Sequence, residues 1–134
     1  MAWIKHIAIR GHDHIATAEF YKQVFGLEEV GLARSGVYLS DGYINLAVLQ
    51  SNDTGTNESP REIPGYSGID HLGFQVDNLE ETTRELEEQG ASPTNQRIDM
   101  IHSDDTDARS YYEIKYRGPD NQIIDVTESG WIGT

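Results

Sequence analysis

His6 and His71 lie in two stretches that echo one another, Ile4-Lys5-His6-Ile7-Ala8-Ile9-Arg10 and Ile69-Asp70-His71-Leu72-Gly73-Phe74-Gln75-Val76. Side chains alternate between the two faces of a strand, so His6, Ala8 and Arg10 share one face and His71, Gly73 and Gln75 another, with aliphatic residues opposite. A very small residue beside each imidazole leaves room for an ion or a ligand. A second matched pair lies further along each half: Asn45 in Tyr43 to Val48 and Asp125 in Gln122 to Thr127 are polar residues inside apolar runs. Burying a carboxylate costs several kcal/mol unless it is paired or bound to a cation, so Asp125 requires a partner. If the two halves pack about a pseudo-twofold axis, His6, Asn45, His71 and Asp125 take equivalent positions and converge on one point. Two imidazoles and a carboxylate, with a neutral amide as a fourth group, form a site for a divalent metal with open positions.

The elements that must position these groups repeat as well. After the first strand, Asp13 caps a helix over Ile15 to Phe25 that Gly26 closes. After the second, Asp77 with Glu80 forms a capping box for a helix ending near Gln89, closed by Gly90. Strand-like runs follow the first helix near Glu28 to Ala33, Val37 to Ser40 and Tyr43 to Leu49, with Asp41-Gly42 as a two-residue hairpin turn. In the second half the runs lie near Gln96 to His102, Tyr111 to Arg117 and Gln122 to Thr127, with Pro119-Asp120-Asn121 marking the final turn. The Ser, Asn, Thr, Gly and Pro of residues 51–68 make a surface linker. The expectation is one α+β domain, residues 1–134, with a first module over 1–50 and a second over 69–129.

A chain of 134 residues is one domain's worth and can bury a core. Its formal charge of −13, from 23 acidic and 10 basic residues, argues against nucleic acid and against an anionic membrane surface. Without a signal-like segment or a long apolar span, a cytoplasmic location is expected. There is no cysteine, which excludes thiolate ligands and a cysteine nucleophile, so any metal is held by nitrogen and oxygen. His12 and His14 flank Asp13 at a helix start and read as solvated or capping residues. The run Ser103 to Asp107 lacks the glycine and terminal glutamate of a calcium loop and reads as an acidic loop.

In the order and spacing of these pieces the sequence resembles the vicinal oxygen chelate superfamily, which includes glyoxalase I, methylmalonyl-CoA epimerase, extradiol dioxygenases and the bleomycin and fosfomycin resistance proteins. The resemblance is carried by His6, by Ala18-Glu19-Phe20-Tyr21 to Phe25-Gly26-Leu27, by Asp70-His71-Leu72-Gly73-Phe74, and by Gly118-Pro119-Asp120-Asn121 before Ile124-Asp125-Val126. It implies two βαβββ modules whose strands form a cup-shaped mixed sheet around a metal, usually in a homodimer. It makes His6, His71 and Asp125 metal ligands and puts Asn45 where many members carry Glu or Gln. The ion it implies is divalent, one of Zn, Ni, Fe, Mn or Co. On the family register Tyr111, Glu113 and Lys115 face the cup, and Glu113, Lys115 and Arg10 become candidate substrate-binding residues.

The departures bear on the reaction. The glyoxalase I pattern has a carboxylate at the place of Asn45 and a longer Glu at the place of Asp125. Asn coordinates through its carbonyl oxygen but cannot act as a base. Two His and one carboxylate also match the facial triad of extradiol Fe(II) dioxygenases. The Tyr of that signature, however, is replaced by Lys115, and His102 lies too far back to serve as its upstream His. The leading expectation is a metal-dependent, glyoxalase- or epimerase-like isomerase or lyase acting on a small oxygen-chelating molecule, with Asp125 as the proton-accepting catalytic group. A dioxygenase is the enzymatic alternative, and a metal-free drug-binding or resistance protein the non-enzymatic one.

Overall fold

The computed structural model describes residues 1–51, 63–100 and 111–134. The order of elements is β1 (Ala2–Gly11), α1 (His14–Phe25), β2 (Glu28–Ala33), β3 (Gly36–Ser40), β4 (Asn45–Gln50), β5 (Gly68–Val76), α2 (Leu79–Glu88), β6 (Ser92–Met100), β7 (Tyr111–Arg117) and β8 (Ile123–Thr127). The sequence βαβββ therefore occurs twice. All eight strands join one mixed sheet in the order β2-β3-β4-β1-β5-β8-β7-β6. β1 pairs β4 in parallel and β5 pairs β8 in parallel, and the halves meet along an antiparallel β1–β5 seam. The expected paired-module α+β architecture is present. Most of the linker, residues 52–62, and the whole of Ser103–Asp107 and His102 lie outside the described residues.

Alternation along the strands produces two faces. On one, α1 covers Leu39 and Val48 through Ala18, and α2 brings Leu79 against Val76 and Val126. The other face carries Ala8, Ala47 and Leu49 together with the polar residues of interest. Burial of these aliphatic side chains, each worth roughly 1.5–3 kcal/mol, fixes which residues face the cup, because a one-residue slip would invert every strand.

Local chemistry differs from expectation at two points. The α2 cap is Asn78, whose side chain accepts from Glu81 N, while Asp77 pairs with the Met1 amino group. The β3–β4 connection is a four-residue loop: Ser40 pairs with Asn45, and Asp41 Oδ1 accepts from both Tyr43 N and Ile44 N. The aspartate side chain thus satisfies two amides that a tighter turn would have paired across the strands.

The seam contains two β-bulges. Ile4 pairs with Phe74 but His6 with Gly73, and Ala8 pairs with His71 but Ile9 with Ile69, so Lys5 and Asp70 are the extra residues. Gly73, between the bulges, faces His6 so closely that a Cβ there would lie 2.7 Å from His6 Cβ and 2.6 Å from the Trp131 ring. Gly73→Ala should therefore cost about 1–3 kcal/mol by overpacking. It should also shift the Trp131 emission, measured by urea titration and fluorescence in a Trp3→Phe background; unchanged stability and spectrum would mean that the indole does not sit there.

Candidate metal centre

The pairing registers place one residue from each of six neighbouring strands on a single row. Ser40 pairs with Asn45, Asn45 with His6, His6 with Gly73, Gly73 with Asp125, and Asp125 with Lys115. His71 and Glu113 stand two residues away from Gly73 and Lys115 along their strands and so face the same side. All of the polar members are buried.

The hydrogen bonds determine the histidine tautomers. Asn45 Nδ2 donates to the Ile132 carbonyl at 3.0 Å, which turns Asn45 Oδ1 to His6 Nδ1 at 2.8 Å. An amide oxygen only accepts, so His6 Nδ1 carries the hydrogen and Nε2 presents a lone pair. His71 Nδ1 lies 2.8 Å from Asp70 Oδ2 and donates to it for the same reason. The two Nε2 atoms then face one another at 3.2 Å, with Asp125 Oδ2 3.0 Å from His71 Nε2 and 4.0 Å from His6 Nε2. Asp125 Oδ2 has no well-formed hydrogen bond among the described residues.

Three electron-rich atoms meeting in a dry interior repel unless something positive lies among them. A metal bound at about 2.0–2.2 Å sets neighbouring donors roughly 3.0–3.5 Å apart; the His6–His71 and His71–Asp125 separations of 3.2 and 3.0 Å lie in that range, and the His6–Asp125 separation of 4.0 Å is wider. The donor set, the orphaned oxygen and the Nδ1 partners of both imidazoles all suit a divalent ion. His6, His71 and Asp125 are a buried group able to hold one.

Ionisation follows from the same contacts. Burial, then the neighbouring His71, pushes the His6 pKa down to about 3 and keeps it neutral. Burial also works against protonation of His71, but the Asp125 carboxylate and its hydrogen bonds raise it above the usual range. A proton on His71 Nε2 is thus one way of relieving the repulsion. Burial works to raise Asp125, and is overcome by His71 and Lys115, which hold it well below the usual carboxylate range. Lys115 Nζ sits 2.5 Å from Asp125 Oδ1 and 3.4 Å from Glu113 Oε1. Burial lowers the Lys115 pKa, but Asp125 and Glu113 more than offset it and raise it. Burial, then Asp125, pushes Glu113 up to about 7.

The expected residues are therefore brought together, though several are engaged differently from expectation. Asn45 lies in the row, with Oδ1 toward His6 Nδ1 and Nδ2 toward the Ile132 carbonyl, a placement that orients the imidazole from the side away from Nε2. Lys115 and Glu113 face the cup as expected, with the lysine's charge committed to carboxylates within it. Arg10 is buried beside Asp70, its Nε 3.6 Å from Oδ2, and Nη1 donates to Gln50 O. Two members were not anticipated. Asp70 escapes strict alternation because the bulge turns it to His71's side. Trp131, beyond the last strand, stacks on the His6 ring at 4.6 Å and an interplanar angle of 4°, filling the room that Gly73 leaves. The only signal for it is an apolar Trp-Ile pair between glycines.

The family model for the Glyoxalase/Bleomycin resistance protein/Dioxygenase superfamily matches residues 3–125. The chain belongs to this superfamily. No curated protein matches it in sequence. Among solved structures it is similar to the 2,3-dioxygenase LapB from Pseudomonas sp. KL28, with 18% identity, a TM-score of 0.63, and coverage of 97% of this chain and 41% of that one. It is also similar to the Mn(II)-bound glyoxalase from Novosphingobium aromaticivorans, with 16% identity, a TM-score of 0.62, and coverage of 92% and 38%. A third similar structure is a single-substitution variant of the Streptomyces coelicolor methylmalonyl-CoA epimerase in complex with 2-nitronate-propionyl-CoA, with 17% identity, a TM-score of 0.63, and coverage of 92% and 94%. At these identities the likeness is one of fold. The chain spans less than half the length of the dioxygenase and the glyoxalase.

Glu113 gives a pH test. Between pH 4.5 and about 7 the folded chain keeps a proton that the unfolded chain has released, so stability falls as pH rises through that window and levels off above it. Relative to Glu113→Gln, the wild type should lose on the order of 1–3 kcal/mol across it, measured by urea denaturation. Parallel curves for the two proteins would contradict the burial of an ionisable Glu113.

Proposed function

We propose that this superfamily member is an enzyme that binds one divalent metal ion through His6, His71 and Asp125 and uses it on a small molecule with adjacent oxygen atoms. The observation that carries this reading is the convergence of His6 Nε2, His71 Nε2 and Asp125 Oδ2 in the buried row, with Asp125 Oδ2 lacking a well-formed hydrogen bond among the described residues. When bound, the metal supplies Lewis acidity toward a carbonyl or enolate oxygen. Asn45 and Asp70 hold the imidazoles by their Nδ1 atoms, and Lys115 fixes the other oxygen of Asp125.

Proton transfer falls to Glu113. Asp125 offers Oδ2 to the metal and Oδ1 to Lys115, whereas Glu113 shares Lys115 with it but lies outside the ligand triad, pushed up by burial and by Asp125 to about 7. Glu113 is thus the group able to take a proton from a carbon next to a carbonyl and return it, the step of an isomerase or lyase. A dioxygenase is the second reading. It is favoured by the composition of the triad, two His and one carboxylate with the amide of Asn45 engaged elsewhere.

The metal assignment is tested by elemental analysis and Co(II) titration. Wild type should bind one equivalent and His71→Ala essentially none, while Asp70→Asn should weaken binding by about 10–100-fold. Full stoichiometry in His71→Ala would remove the assignment. For the reaction, Glu113→Gln should keep the metal yet lose about 10²–10⁴-fold in the exchange of solvent deuterium into a carbon next to a carbonyl. Oxygen uptake with catechols, unaffected by Glu113→Gln, would instead establish the dioxygenase reading.

We also propose a homodimer. Ile15, Phe20, Val24 and Phe25 of α1 are exposed, as is Leu32 on the edge strand β2, and a twofold partner would cover such surfaces. Sedimentation should give twice the chain mass of 15.0 kDa; a monomer at high concentration would overturn it.

A further inference from the structure

After β8, residues 128–134 run back across the polar row, touching it strand by strand. Gln75 Nε2 donates to Glu128 O at 3.3 Å, the Trp131 ring covers Gly73 and His6, Asn45 holds Ile132 O, and Ser40 Oγ donates to Gly133 O at 2.6 Å. Ile132 also approaches Gly31 of β2. The segment thus follows the row from β5 to β3 and ends its course near β2. Trp131 Nε1 donates to Glu113 Oε2 at 3.1 Å, so the indole is tied to one acid of the cluster while lying flat on a ligand imidazole. Gly130 and Gly133 have φ of +75° and +84°, a backbone conformation other residues rarely adopt, and they bracket the Trp131-Ile132 pair.

We propose that residues 128–134 are a strap that gates the cup, with Trp131 as the shutter over His6 and Glu113. A small molecule that reaches Glu113 Oε2 or the face of the His6 ring must displace the indole, from its hydrogen bond in the first case and from the stack in the second. Among the described residues the strap is held by hydrogen bonds to side chains, by the Trp131–His6 stack, by Ile132 against Gly31 and by Glu128 Oε1 accepting from Leu79 N, without strand pairing, which suits it to local opening. The inference deepens the metal-site reading by assigning control of access to the same site, but the coverage of His6 can be measured without any metal.

The test is modification by diethylpyrocarbonate, mapped residue by residue by mass spectrometry on the metal-free full chain. In wild type, His6 should react far more slowly than exposed His12. Trp131→Ala should accelerate the reaction at His6 by about tenfold or more while leaving His12 unchanged. Ser40→Ala, which loosens the far end of the strap without touching His6, should give a smaller acceleration at the same site, and Trp131→Phe should stay near wild type. The Ser40→Ala result also guards against Trp131→Ala failing to fold. Equal rates at His6 in wild type, Trp131→Ala and Ser40→Ala, or a wild-type His6 as reactive as His12, would overturn the strap. Co(II) then separates the two readings. A chain that protects His6 as predicted but binds no Co(II) keeps its strap and loses the metal assignment. One that binds Co(II) with His6 freely reactive beforehand keeps the metal and loses the strap.

Discussion

Three lone pairs pointing at one another inside a dry protein are the constraint on which this structure turns. His6 Nε2, His71 Nε2 and Asp125 Oδ2 meet because Asn45 and Asp70 have taken the Nδ1 hydrogens, so neither ring can relieve the crowding by changing tautomer without breaking a buried hydrogen bond. A positive species among them is what makes the cluster tolerable, whether a proton on His71 or a metal ion. Lys115 contributes from outside the triangle, through the other oxygen of Asp125. Removing one partner of such a buried pair typically costs about 3–5 kcal/mol, far more than the pair's net contribution. The cluster is thus held together by mutual dependence.

Sheet topology turns these distant residues into neighbours. Two modules meeting at an antiparallel seam put β1 and β5 side by side, and each brings its parallel partner, β4 or β8, alongside. Every residue of the row then follows from pairing register alone. The bulges at Lys5 and Asp70 complete the site. Without the second, Asp70 would point to the helix-covered face, and His71 would lose the group that fixes its hydrogen.

Much of this was legible in the sequence, for a specific reason. The matched histidines, Asp125, Lys115 and Glu113 obey strict alternation in strands whose opposite faces are aliphatic, so burial of those aliphatics fixes where the polar residues point. Asn45 was located correctly by the same logic, but which of its atoms faces His6 depends on the Ile132 carbonyl, a contact between residues 87 positions apart. Asp70 was hidden because a bulge is a departure from the period that makes strands readable. Trp131 was hidden because a segment without regular structure has no period at all. The α2 cap falls on Asn78 with Asp77 paired to the Met1 amino group, and the loop at Asp41 is closed by the aspartate side chain itself, both hydrogen-bond choices among neighbouring polar residues that local sequence does not decide.

Membership of the superfamily establishes the scaffold and leaves the chemistry to individual side chains. Here the side chains supply a triad with one short carboxylate, an internal lysine and a second acid, under an indole. The convergence of the three lone pairs is tested most directly by a long-range proton–nitrogen correlation spectrum of the histidine side chains, recorded before and after one equivalent of Zn(II). His6 should be neutral with its hydrogen on Nδ1, and addition of Zn(II) should move the Nε2 resonances of His6 and His71 together while both Nδ1 atoms stay protonated. A His6 hydrogen on Nε2, or Nε2 resonances that ignore the metal, would contradict it.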